Sequence, residues 1–523
     1  MKGVRLAAAM VAAHALSAAA QEADGPGREG AGAGASFAIT NARVHTVSGP
    51  VLEPATVVVR DGRVAAVGQG IAVPAGVRVL DAAGKVVTPG LLDSQTHLGA
   101  VEIEQIDATS DFASEDDRIT AALRIADGIN PYSPLIPVTR VEGITRAAVS
   151  PEPGVSLIAG QGALLDLSGP PLEAALTRSP TAVYASLGET GAALAGGSRG
   201  GAMLQLREVL QDALDFAVNR EAFEANQRRE YAVSRLDLEA LVAVVRGQLP
   251  LAVTAQRASD LLAALRLARE FDLRLVLLGA AEGWLVAGEI ARAGVPVVLN
   301  PLQNVPGFES AGATLENAAR MHAAGVTLAF GSFESHNART LKQGVGNAIS
   351  YGLPAEVALR AVTLAPARIW GVAERYGSIE PGKDADLVVW SGDPFELSTR
   401  VEHVFIRGRE MPLRTRQTEL LEHYRRLPAR PNARPGQALP APAGGGAAPG
   451  PAPQAAPDPA APAGEPRPPG EGPGVEPGPG ALPEPPGEPD TPPAPPAAPD
   501  APPPGEGPGT PPPESPTPGR AEG

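Results

Sequence analysis

Thr88-Pro-Gly-Leu-Leu-Asp-Ser-Gln-Thr-His-Leu-Gly99 is the stretch on which the fold turns. An apolar strand runs into Pro89-Gly90, and a second run opens with Leu91-Leu92 and continues through Asp93, Gln95 and His97. Side chains two apart on a strand point to the same side, so Gln95 and His97 share one face. An imidazole placed there can grip a metal ion. A neutral amide is a poor exchange for imidazole at zinc, although it still accepts and donates hydrogen bonds.

Upstream, Ala38–His45, Thr56–Arg60 and Arg63–Val67 alternate as short strands do, and Asp61-Gly62 between the last two signals a tight hairpin. Downstream, short apolar runs alternate with helical stretches. Strands are expected at Gly143–Val149, Ala182–Ser186, Leu251–Thr254, Arg274–Leu278, Val295–Leu299 and Thr327–Phe330. Amphipathic segments fall at Asp237–Arg246, Ala258–Phe271 and Leu315–Ala324, with a further helix at Pro354–Ala361. Such alternation argues for an α/β fold with a parallel sheet covered by helices, most simply a (β/α)8 TIM barrel. Gly377 to Trp390 and His403 to Gly408 read as more strands, able to complete the first β-domain in space.

The expected organisation is a composite β-domain from residues 37–85 and 377–411, a barrel over 86–376, and an extension over 412–434. The chain has 523 residues, 57 prolines, 60 glycines and no cysteine. Proline concentrates beyond residue 430, and residues 435–523 hold too little apolar surface to offset ordering entropy, so a disordered tail is expected. The formal net charge is −15, and 11 acids against two arginines from Ala441 onward account for most of it. No basic patch points to nucleic acid.

At the start, Lys2 and Arg5 precede the short apolar run Leu6 to Leu16, and Ala18-Ala19-Ala20 follows. This reads as a signal peptide over 1–20, cleaved before Gln21, with residues 21–36 a flexible lead-in. An exported protein is expected, periplasmic or extracellular, with no transmembrane segment in the mature chain. The tail is expected to be a spacer, or to contact the envelope or a protein partner.

Pro89-Gly-Leu-Leu-Asp93 with His97, and Pro381-Gly-Lys-Asp-Ala-Asp-Leu-Val-Val-Trp390, resemble the amidohydrolase superfamily, in particular its imidazolonepropionase-like branch. Gly143-Ile-Thr145, Ile158-Ala-Gly-Gln-Gly162 and Leu187-Gly-Glu189 support this in order and spacing. The resemblance spans residues 37–411. It implies a metal-binding barrel, flanked by a β-sandwich built from both ends of the domain, that hydrolyses amide-type C–N bonds, often in cyclic amides, dipeptides or related small molecules. It also implies a His-x-His after strand one, a His after each of strands five and six, and an Asp after strand eight.

This chain departs from that pattern. Gln95 fills the first position and His97 the second, and no histidine occurs between His97 and His322. Strand five ends in Thr254-Ala-Gln256, strand six in Leu278-Gly-Ala280, and strand eight in Gly331-Ser-Phe333. His97 is the one surviving family ligand, so the usual binuclear site is not expected. The cofactor expectation is none, or a single divalent, zinc-like metal. Glu189, Glu334 and His336 are the candidate catalytic groups, with Glu334 expected on a strand-like path facing away from the mouth. Gln95, His97, Gln161, Thr254, Gln256 and Asn300 are the candidate binding residues, with Asn304 nearby, and Asp93 could join a rebuilt site. Glu189 could instead pair with Arg199 or Arg207. Two functions stay open: a hydrolase with an altered site, and a catalytically inactive barrel that binds a small molecule or a partner.

Overall fold

The structure, a computed structural model, describes residues 36–426. The expected signal peptide, nearly all of the lead-in, the end of the 412–434 extension and the 435–523 tail lie outside the described residues.

The first strands are β1 (Phe37–His45), β2 (Val51–Arg60), β3 (Arg63–Gly68), β4 (Arg78–Asp81) and β5 (Val86–Pro89). β6 (Leu91–Thr96), β7 (Ile144–Val149), β8 (Ile158–Gln161), β9 (Ala163–Asp166), β10 (Leu176–Arg178) and β11 (Val183–Ser186) follow. Then come β12 (Leu251–Ala255), β13 (Leu275–Gly279), β14 (Val297–Leu299), β15 (Leu328–Phe330), β16 (Leu387–Trp390), β17 (Val401–Ile406) and β18 (Arg409–Met411).

One sheet joins the two ends of the described chain in the order β18-β17-β16-β5-β1-β2-β3, with β4 on β1. It is a single hydrogen-bonded sheet rather than two separate ones. The β2–β3 hairpin turns on Asp61 and Gly62, both at positive φ as a two-residue primed turn requires. β5 pairs with β16 and β1, so the α/β unit begins after Pro89 and not at residue 86.

The α/β unit has two sheets, β10-β9-β7-β6 and β15-β14-β13-β12-β11-β8. β11 through β15 are parallel, and helices Arg235–Val245, Ala258–Glu270, Ala287–Ala293 and Asn317–Ala323 separate them in sequence. The third strand position breaks the expected parallel pattern. Ile158 to Asp166 runs antiparallel to β7 through β9 and antiparallel to β11 through β8. Only Ser150 to Leu157 connects β7 to β8, too few residues for a parallel crossover, so the chain must double back. Past β15 the chain bonds back to β6: Phe333 N–H donates to Gln95 O at 2.8 Å, and His97 N–H to Glu334 O at 3.1 Å.

Leu92, Ala148, Leu164, Tyr184, Ala252, Leu278, Val298 and Ala329 come from β6, β7, β9 and β11 through β15 and form one buried cluster. Trp370 joins it, 1% exposed, its Nε1–H donating to Ser94 Oγ at 2.9 Å. The outward faces of the same strands pack with the helices in a larger core.

The Pro381–Trp390 motif holds the two parts together. Asp386 Oδ2 accepts from Arg146 Nε of β7 at 2.6 Å, both side chains buried. Asp384 accepts from Arg375 at 2.7 Å. Trp390 donates to Thr88 Oγ1 at 2.9 Å and lies against Gly143, where a Cβ would sit 2.2 Å from its ring. These motif residues act as structural joints. No helix among the described residues is long and apolar enough to cross a membrane.

Candidate functional site

The carboxyl ends of parallel strands converge on one face, where α/β folds place their sites. Here that face gathers Asp93, Gln95 and His97 around β6, Ser150 and Glu152 after β7, and Ser332 and Glu334 after β15.

Asp93 is fully buried and bonded to the strand-eight end: Ser332 Oγ lies 2.5 Å from Oδ2, and Ser332 N–H donates to Oδ1 at 2.9 Å. Burial raises its pKa to about 7, against the opposing hydrogen bonds from Ser332 and Gln95. Gln95 is 3% exposed, and its amide nitrogen donates to Ser150 Oγ. Its Oε1 is buried with no partner among the described residues.

His97 has both ring nitrogens engaged. Nδ1 lies 3.1 Å from Ser150 O, and Nε2 lies 3.0 Å from Glu152 Oε1. A carbonyl only accepts, so Nδ1 carries a proton. Burial pulls the His97 pKa down most strongly, but the Glu152 hydrogen bond and charge and the Ser150 carbonyl outweigh it and raise it overall. Phe112 covers the ring at 5.0 Å between centroids. Glu152→Gln removes the charge, so His97 should titrate at a lower pH than in the parent. An NMR pH titration of the imidazole checks this, and an unmoved midpoint would refute the pairing.

His97 therefore serves as a hydrogen-bonded member of a buried network. The other family positions add no donors of the right kind. Gln256 Oε1 accepts from Ala281 N–H at 3.2 Å, and Ala280 has no ligating atom. Ser332 fills the strand-eight position and is spent on Asp93. The residues at these positions do not fit the binuclear metal centre that the family implies.

The candidate catalytic residues separate into two places. Glu334 and His336 come together with Glu104, their ligand atoms all within 4.8 Å of one another. His336 Nδ1 lies 2.8 Å from Glu104 Oε1, and Ser335 Oγ donates to the same oxygen at 2.7 Å. Phe333, at φ 57°, interrupts the strand-like path just before Glu334. The Glu334 backbone carbonyl accepts from His97 N–H and from Thr96 Oγ at 2.5 Å, which sets this cluster beside the buried network. Burial first, and the nearby Glu104 charge second, raise the Glu334 pKa, while His336 and His97 oppose them. Glu104 was not singled out in the sequence, because its loop carries no motif.

Glu189 is exposed and stands elsewhere, at the end of β11. Arg199 pairs with Asp260 and Arg207 with Glu270, so neither takes the expected place beside Glu189. Gln161 donates to Ala121 O at 2.9 Å and pins a loop. Thr254 O accepts from Leu187 N–H at 2.9 Å. Asn300 donates to Ser332 O at 2.8 Å and accepts from Leu302 N–H at 2.9 Å, and it supports the strand-eight turn. Asn304 Oδ1 faces Asn317 Nδ2 at 3.3 Å.

Residues 265–411 match the Amidohydrolase family model. A solved amidohydrolase from Thermotoga maritima MSB8 is 29% identical with a TM-score of 0.66, covering 72% of this chain and 100% of that one. The chain is similar to amidohydrolases. Amidohydrolase tasK of Hapsidospora irregularis is 25% identical over 366 residues, 64% of this chain. The chain spans only 37% of that relative's length. An imidazolonepropionase of Vibrio cholerae serotype O1 is 40% identical over 65 residues, 12% of this chain and 16% of that one.

Proposed function

We propose that this is an exported amidohydrolase-family protein with a closed (β/α)8 barrel, whose strand ends bind a small molecule without the family's metal centre. One observation carries the reading: the surviving histidine spends both ring nitrogens inside the chain, on Ser150 and Glu152. An imidazole with no free lone pair offers a metal nothing. Gln95 beside it, and Gln256, Ala280 and Ser332 at the ends of other strands, make the same point. A cyclic amide or dipeptide would meet hydrogen-bonding groups there and no water-activating pair of ions.

Glu104, Glu334 and His336 support a second reading, a hydrolase with one relocated divalent ion. Two carboxylates and an imidazole within 4.8 Å supply the three protein ligands a single-metal site needs. A zinc-like ion bound there would acidify a water. Without it, Glu334 is the group placed to take a proton, because its raised pKa makes it a stronger base than an ordinary glutamate.

Elemental analysis of the purified full chain, with dipeptide and cyclic-amide hydrolysis assayed before and after chelation, decides between them. The first reading expects no stoichiometric metal and no chelator-sensitive hydrolysis. Metal near one equivalent that Glu334→Gln abolishes would replace it with the second.

A further inference from the structure

Glu309 belongs to the loop that follows β14, yet its carboxylate reaches the end of β11. Its Oε1 accepts from Glu189 N–H at 2.5 Å and lies 3.9 Å from the Arg199 guanidinium. Gly188 makes room for it: a Cβ there would sit 2.0 Å from Oε1, and φ is +73°. The loop crosses the end of β13 on the way, where Gly312 N–H donates to Glu282 Oε1 at 2.8 Å and Trp284 Nε1–H donates to Gly312 O at 2.7 Å.

Beside this contact lies a cavity of about 280 Å³ between the ends of β11 and β12. Gly188, Arg199, Arg257, Ser259, Asp260 and Arg266 are among the residues that line it. Asp260 takes Arg199 at 3.2 Å and lies 3.9 Å from Arg257, while Arg257 Nε–H donates to Ser259 Oγ at 2.8 Å. Arg266 has no ion pair among the described residues. Three guanidinium groups against one aspartate leave the lining positive, and the planar guanidinium fork suits carboxylate recognition.

We propose that the ends of β11 and β12 form a carboxylate-binding site, which Glu309 fills from within the chain and from which the carboxylate of a small molecule displaces it. The cavity volume suits a short dicarboxylate or an acidic amino-acid derivative. The inference goes beyond the small-molecule reading above. It stands on residues apart from the strand-end network, so metal content tests that reading and leaves this one untouched.

Titration calorimetry of the full chain with succinate at constant ionic strength is the test, with uncharged succinamide and inorganic phosphate as comparisons. Glu309→Ala should bind succinate about tenfold more tightly than the parent, because the internal competitor is gone. Arg199→Gln and the exposed Arg266→Gln should each weaken binding about tenfold. Arg266→Gln is the informative variant if loss of Arg199 beside buried Asp260 prevents folding. The proposal fails if succinate does not bind folded Glu309→Ala, if succinamide binds equally well, or if phosphate alone binds. An affinity unchanged by Glu309→Ala would also overturn it.

Discussion

Asp386→Asn lowers the unfolding free energy of the chain by about 3–5 kcal/mol, measured by urea denaturation. Arg146 and Asp386 are 2% and 6% exposed and meet at 2.6 Å. Burial alone would push the guanidinium toward neutrality, but the Asp386 charge, followed by Tyr376, Asp166 and the Asp386 hydrogen bond, outweighs it. Arg146 also donates to Thr177 Oγ1 at 2.6 Å and stacks 3.3 Å from the Tyr376 ring centroid. The Asp386 carboxylate further accepts from Arg407 N–H at 2.8 Å. Neutralising Asp386 strands a buried cation, and that penalty is the source of the effect. The pair itself is replaceable. Arg146 Nη2 already lacks a partner among the described residues, so the double change Arg146→Met with Asp386→Leu should recover most of the loss. A loss below about 1 kcal/mol in Asp386→Asn would show the pair to be solvated like a surface bridge.

The strand-and-helix plan was legible because each parallel strand is a short apolar run bounded by a helix. The expected Leu251–Thr254 and Arg274–Leu278 correspond to β12 and β13 within a residue. Ile158-Ala-Gly-Gln-Gly162 stands in the sequence reading as a family motif and not as a strand, since Gly160 and Gly162 interrupt its apolar run. Helix Arg199–Glu224 went unseen for a related reason. Its periodicity is blurred by exposed Leu204 and Val218 and by fully buried Asp212, which pairs with Arg229. The site was legible where a motif marks it. Gln95 and His97 stand in a motif the sequence marks, and the missing histidines needed no structure to notice. Their partners were not legible. Ser150, Glu152, Glu104 and Glu309 come from loops whose residues carry no periodic signal. Only the rule that strand ends converge could have pointed to Ser150 and Glu152.

Stability should fall as pH rises from about 4 to 8, and Asp93 should carry most of the fall. Its folded pKa of about 7 lies above the ordinary 3.8. The folded state therefore holds the proton more tightly than the unfolded one. The stability due to the protonated carboxyl is complete below the unfolded value and is lost as pH climbs through 7, about 4 kcal/mol for a shift of this size. His97 has the same sign. Its raised folded pKa makes its stability complete below its ordinary 6.5, and the loss continues above that value. Asp93→Asn separates the two. An amide has the shape of the protonated carboxyl: its nitrogen can donate to Ser332 Oγ, while its oxygen still accepts from Ser332 N–H and Gln95 N–H. The variant should match the parent near pH 4, exceed it near pH 8, and keep only the shallower loss that His97 causes. Urea midpoints across that range read this directly. A full decline that persists in Asp93→Asn would assign the effect to another group, and would leave Asp93 ionised at neutral pH beside the strand-eight turn.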